Sequence, residues 1–150
     1  MARWRSAAME RLPELRESIA SAENVMQLWI ELNMKFEDAY REPRDDGLIA
    51  RVYSYADWCI AAPRNESAEH DPLTAVTVTF YEHIPTVVNA REDMPRWFTF
   101  NEVSANREVF SYLIGADEYA KLLKYMSENR RRYVPREQIA DANRVSREVR

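Results

Sequence analysis

The chain has 150 residues, 46% of them apolar and 31% charged, with a net charge of −4 and one cysteine. That length accommodates one domain around one core, and the lone Cys59 excludes an internal disulfide or a thiolate metal cluster. Two glycines, Gly47 and Gly115, leave little for phosphate loops, dinucleotide turns or nucleophile elbows, all of which need positive φ or close backbone approach.

The first periodic segment follows Arg11, with Pro13 suited to an opening helical turn and Leu12, Leu15, Ile19 and Ala22 along one face. The next is the strongest. Val25, Leu28, Trp29, Leu32, Phe36, Ala39 and Tyr40 repeat at three-four spacing, and Asn24 is placed to cap the start. Met26, Ile30 and Met34 add a second stripe, which predicts a helix covered on more than one side. Pro43 sets its end near Glu42.

Beyond the turn at 43–47, Ile49, Val52, Tyr53, Ala56 and Ile60 define a third helix, with Tyr55 and Cys59 beside that face and Pro63 as its stop. Residues 64–71 are polar and read as a mobile loop. Residues 74–84 pose a choice, because Val76, Val78 and Phe80 alternate with polar residues as in a strand. Asp71 followed by Pro72, however, is an N-cap with a first-turn proline, and Val76, Phe80, His83, Ile84 and Val87 fit a helical face. Helix is the reading adopted, disturbed or ended by Pro85.

A loop is expected over 91–98, around Pro95, Trp97 and Phe98. Thr99 and Glu102 have capping-box spacing and open a helix with Val103, Phe110, Leu113 and Ile114 inside. Gly115 suits a left-handed residue after its end. Asp117 is expected to cap a further helix through Ala120, Leu122, Leu123 and Met126. From Pro135, only Ile139, Ala142, Val145 and Val149 stand out of a charged background, a weak helix that needs a partner surface to order.

The expected fold is all-α, an irregular antiparallel bundle or a short helical-repeat-like stack of about six helices. A helical domain covers 1–127, and a loosely attached basic segment covers 128–150. Residues 129–150 hold seven Arg against Glu137, Asp141 and Glu148, a balance of +4 that leaves −8 on the rest. An acidic body disfavours wrapping nucleic acid. No apolar run approaches the roughly 20 residues that span a bilayer. The start MARWRSAAMERL lacks the apolar core of a signal peptide, so a cytoplasmic setting is expected.

Reactive side chains are densest at Asp57, Trp58 and Cys59 on one helix and at Tyr81, Glu82 and His83 on the next. Packed together, Asp57, Glu82 and His83 offer two carboxylates and an imidazole, the makings of a small metal-dependent or acid-base enzyme. The favoured reading gives them structural work: Glu82 on a buried Arg such as Arg51, His83 on the apolar stripe, Cys59 as a small core hydrophobe, with no cofactor and no metal. Trp29 and Trp58 read as core. Trp4 and Trp97, with Arg96 nearby and Arg130, Arg131 and Arg132 in the basic segment, are the interface candidates, for a protein partner or for self-association.

The strings RVYSYADWC (51–59), AVTVTFYEHI (75–84) and VFSYLIG (109–115) resemble a group of small bacterial helical proteins. In that group a helix with an aromatic-rich face precedes one ending in a Phe-x-Glu-His-like signature, here with Tyr81 between Phe80 and Glu82. The resemblance spans about 12–126 and leaves out the basic segment. Its members look similar to immunity or accessory proteins that bind another protein. It implies a helical fold and a non-catalytic protein-binding role, with no catalytic residues to carry over.

Overall fold

A computed structural model of the chain describes residues 1–135. Those residues form nine α-helices and no strand. The helix expected from Pro135 onward lies outside the described residues.

The chain opens with α1 (Arg3–Arg11), a helix the apolar pattern did not announce. Its buried positions are Trp4, Ala7 and Ala8, and two alanines contribute too little apolar signal to mark a periodic face. Packing against α4 (Asp46–Ala61) supplies what intrinsic pattern does not, and Tyr55 of α4 donates to the Trp4 carbonyl at 2.9 Å. The segment after Arg11 is split rather than continuous, into a 3-10 turn at Pro13–Leu15 and α2 (Arg16–Ser21). Arg5 reaches across to the Ala20 and Ala22 carbonyls at 3.0 and 2.9 Å, satisfying acceptors that the end of α2 leaves open.

The strongest pattern gives the best-formed element, α3 (Val25–Ala39), capped as expected by Asn24, whose side chain accepts from the Gln27 N–H at 2.8 Å. One stripe, from Val25 through Leu28, Trp29, Leu32 and Phe36, is sealed in the core. The second is covered only at Met26, which packs partly against the core, whereas Ile30 and Met34, one turn apart, are 53% and 56% exposed. Helix α4 begins at the Asp45 cap, which accepts from Leu48, and its Arg51 pairs with Glu14 at 2.8 Å rather than with Glu82.

Residues 64–70, read as part of a polar loop, are exposed, and both ends of the segment are joined through Asp71. Asp71, 1% exposed, accepts from the Asn65 N–H and the Arg64 guanidinium at 3.0 and 2.9 Å, and it caps α5 (Pro72–Val76) through Thr74. Burial pushes the Asp71 carboxyl up, but the Arg64, Thr74 and Asn65 hydrogen bonds and the Arg64 charge outweigh it and hold the group well below the usual carboxylate range. The folded chain therefore binds this proton more weakly than the unfolded chain. The stabilisation is complete above about pH 4, the ordinary aspartate value, and is lost as pH falls through the lower folded value. Asp71→Asn is expected to cost about 1.5–3 kcal/mol at neutral pH. In urea melts between pH 4 and pH 2 its midpoint should fall less steeply than that of the natural chain; parallel slopes would contradict this account.

Residues 74–84 are helical, as the Asp71–Pro72 start implied, but not uniformly so. After α5 the backbone widens into a π segment, Thr77–Tyr81, marked by the Glu82 N–H donating to the Thr77 carbonyl at 3.0 Å. The β-branched threonines resist the α geometry less than their strand propensity suggests, because Thr77 and Thr79 turn their hydroxyls onto the Leu73 and Ala75 carbonyls. Pro85 then opens a 3-10 turn at Ile84–Thr86.

The loop expected at 91–98 is mostly helix: α6 runs Val88–Trp97 with Pro95 inside it. Proline falls in the last turn, where the missing N–H breaks one bond and little helix remains to be kinked. Ala90, Asp93, Met94 and Trp97 form its buried face. The Thr99–Glu102 capping box opens α7 (Phe100–Ala105), but this helix is short and α8 (Arg107–Ser111) follows separately. Gly115 has the positive φ anticipated, 83°, and begins α9 (Gly115–Glu128), with Asp117 in its first turn rather than capping it. Of the residues expected inside, Val103 and Phe110 are buried whereas Leu113 is 45% exposed.

Candidate functional site

The π segment inserts an extra residue into one turn, and its result is two consecutive buried rings that serve different neighbourhoods. Phe80 enters the centre of the core, with ring centroids 5.0 Å from Trp29, 4.8 Å from Phe36 and 5.4 Å from Tyr53. Tyr81 turns the other way, toward Phe98 and Phe110. There it forms part of a cleft of about 290 Å³ whose apolar lining is Ile60, Leu73, Tyr81, Phe98, Val109 and Phe110. Thr77, Glu102 and Asn106 add polar groups to that lining. Ile60 is itself 46% exposed. Shortly after α8, Tyr112 stands 72% exposed.

A second cluster gathers around a buried acid. Asp93, 2% exposed, accepts from the Tyr40 hydroxyl at 2.7 Å, from Arg44 at 2.6 Å and from the Trp97 indole N–H at 3.0 Å. Its other oxygen faces Arg96 at 3.4 Å and Arg132 at 3.5 Å. Burial first, then the charge and hydrogen bond of Asp93, push the Tyr40 hydroxyl far above the usual phenol range, so Tyr40 stays a donor. With every oxygen directed at a donor of this chain, the group works as a clasp joining the end of α3, the turn before α4, α6 and the residues after α9. Sequence reading missed it, although one signal was present: Asp93 lies on the Ala90, Met94, Trp97 face at helical spacing, where an acid needs partners.

This clasp and its surroundings absorb most of the residues expected at an interface. Trp97 is buried, stacked on Tyr53 at 4.7 Å, and Trp4 is buried under Arg5, so neither stands at the surface as an anchor. Their neighbouring arginines cover their own domain instead. Arg96 pairs with Asp93 and Asp46, Arg132 reaches the Glu92 carbonyl and the Tyr125 hydroxyl, and Arg130 lies 4.4 Å over the Phe100 ring. Arg131 is exposed. The Val134 N–H donates to the Arg96 carbonyl at 2.9 Å, which attaches the described part of the basic segment to α6.

Asp57, Glu82 and His83 are not gathered into a metal site. Among the described residues no three His, Cys, Asp or Glu side chains form a group that could hold a metal ion. Asp57 is half-buried on α4, and Glu82 and His83 follow the π segment, also half-buried. Burial raises the Glu82 carboxyl, and the His83 charge opposes this. The His83 backbone joins the local turn, donating to the Phe80 carbonyl and accepting from Thr86. Cys59 is sealed in the core and accepts from the Trp29 indole at 3.3 Å. Burial pushes its thiol up to about 12, against the Trp29 and Tyr55 hydrogen bonds, which suits packing and not nucleophilic attack. Trp58 is half-buried, stacked on Tyr55. No helix among the described residues is long and apolar enough to cross a membrane.

Comparison with protein families, curated proteins and solved structures finds no match to this chain. The cleft and the clasp therefore stand on their own chemistry.

Proposed function

We propose that the chain is a non-catalytic protein-binding domain that seats a basic, amphipathic segment of another protein in the cleft between Leu73 and Phe110. The observation that carries this reading is the cleft itself, a concave apolar surface with Glu102 and Asn106 at its polar positions. The excess of 8 acidic charges over residues 1–128 adds a field that draws basic partners and speeds their encounter. Such a role fits an immunity or accessory protein of bacterial type, which acts by covering a partner. The mutual packing of α3, α4 and α5 supports an irregular bundle over a repeat stack, since all three pairs touch. The uncovered Ile30 and Met34 stripe on α3 is the most suitable face for self-association.

A direct test uses two synthetic helical peptides, one alternating Leu with Arg and Lys at helical spacing and one with the basic residues replaced by Glu. The basic peptide is expected to bind in fluorescence anisotropy, weakening at least tenfold against Val109→Asn, while the acidic peptide does not bind. Equal binding of both peptides, no binding of either, or indifference to Val109→Asn would overturn the reading. Val109 is only partly buried, so the substitution tests the cleft without opening the core.

A further inference from the structure

We infer that two copies of this chain pair through the outer face of α3, with the two helices antiparallel and Ile30 of each copy against Met34 of the other. The inference rests on the self-association face named above and is independent of the cleft, whose lining comes from other elements.

Glu23, Gln27, Ile30, Met34, Glu37 and Arg41 are all exposed, and they recur at alternating intervals of four and three residues. That interval makes the narrow seam by which one helix packs along another, as distinct from the wider stripe by which a helix enters a core. Helix α3 therefore has two faces. The inner one is filled by Leu28, Trp29, Leu32 and Phe36, and the outer one keeps a seam whose centre is apolar and open to solvent. Glu23 and Arg41 close the seam at its two ends, one just before the Asn24 cap and one just after Tyr40.

The order of the seam selects its occupant. It reads acid, amide, apolar, apolar, acid, base, and turned end for end about its midpoint it complements itself. Ile30 then meets Met34 of the second copy, Gln27 meets Glu37 and Glu23 meets Arg41, each contact being made twice by the two-fold symmetry. The Gln27 side-chain oxygen accepts from the Glu23 N–H at 2.6 Å, which leaves its NH2 as the group for the Glu37 carboxylate. Arg41 pairs with Asp38 of its own chain at 3.5 Å while its side chain is 83% exposed, a loose contact that a second carboxylate can share. A parallel pair in register would instead set Glu23 on Glu23, Glu37 on Glu37 and Arg41 on Arg41. An antiparallel pair slipped by one heptad would put Ile30 and Met34 against polar groups. Both alternatives lose what the centred antiparallel register gains. The net charge of −4 repels two copies at a distance, but at physiological salt that field is screened beyond about 8 Å, farther than the seam contacts reach.

Sedimentation velocity of the full chain over a concentration series tests the pairing. The natural chain is expected to form a dimer whose population rises with concentration up to about 1 mM. Ile30→Gln together with Met34→Gln, both at exposed positions, should weaken that dimer at least tenfold with unchanged helical circular dichroism. Glu23→Arg alone and Arg41→Glu alone should each weaken it at least threefold, and the two combined should restore it, because the exchanged pair is again opposite in charge. A natural chain that stays monomeric throughout would overturn the inference. A dimer indifferent to the two glutamines would overturn it by removing the α3 face. A dimer that responds to the glutamines but is not restored by the double charge exchange would keep the face and overturn the antiparallel register. The basic peptide should bind the glutamine variant and the natural chain equally in anisotropy, so failure of the pairing and failure of the cleft reading are told apart.

Discussion

Asp93→Ala is expected to be the most damaging single substitution in this chain, costing about 3–5 kcal/mol, a large fraction of the roughly 5–15 kcal/mol that holds a domain together. The carboxylate is the shared acceptor of Tyr40, Arg44 and Trp97, with Arg96 and Arg132 close behind. Its removal strands two buried neutral donors and leaves neighbouring guanidiniums without their counter-charge. Unpaired buried donors cost more than the bonds they once made are worth. Asp93→Asn preserves the volume and an acceptor but not the charge, so a smaller loss of about 1.5–3 kcal/mol is expected. Arg132→Ala should cost about 1 kcal/mol, because its Asp93 contact is long and its bonds to the Glu92 carbonyl and the Tyr125 hydroxyl are partly solvated. Urea denaturation at neutral pH reads all three, and the order Ala, then Asn, then the Arg132 variant is the diagnostic result. Near-equal losses for Asp93→Ala and Arg132→Ala would mean that the acid is not the centre of the cluster.

Phe80→Ala is the second large effect, expected at about 3–5 kcal/mol. The Phe80 ring is fully buried and touches Trp29, Phe36, Tyr53 and Tyr81, residues contributed by α3, α4 and the π segment itself. Deleting it opens a cavity walled by rings too large to shift into the space, so relaxation recovers little. Phe80→Leu keeps much of the volume and is expected to lose less than half as much. Denaturant melts should report a lower midpoint with an unchanged slope, the signature of lost stability and not of a changed fold. A loss below about 1 kcal/mol for Phe80→Ala would show that the site collapses easily.

Local chemistry was legible where neighbours in sequence are neighbours in space. The Asn24 cap, the Asp71–Pro72 start, the Thr99–Glu102 capping box and the positive φ of Gly115 each involve groups within a few residues of one another. The α3 stripe was legible for the same reason. Interruption of a helix was harder to read: the division of residues 12–22 and of 100–114 into shorter pieces depends on what each turn packs against. A proline in a final turn is tolerated, so Pro95 misled the reading of α6. The cleft was illegible because Ile60, Leu73, Tyr81, Phe98 and Phe110 come from five separate places in the chain, and nothing in their spacing says that they meet.

The amino-acid order alone determined that this protein is built from helices, since apolar spacing, caps and the scarcity of glycine all act within a turn or two. Tertiary structure decided which apolar residues became surface and which charges became core. Ile30 and Met34 belong to a stripe as regular as that of Leu28 and Leu32 yet stay exposed, while Asp93 is buried among arginines more than thirty residues away on either side. The physical reason is that burial is a property of the face a neighbour covers, and a desolvated charge is stable only where distant partners converge on it.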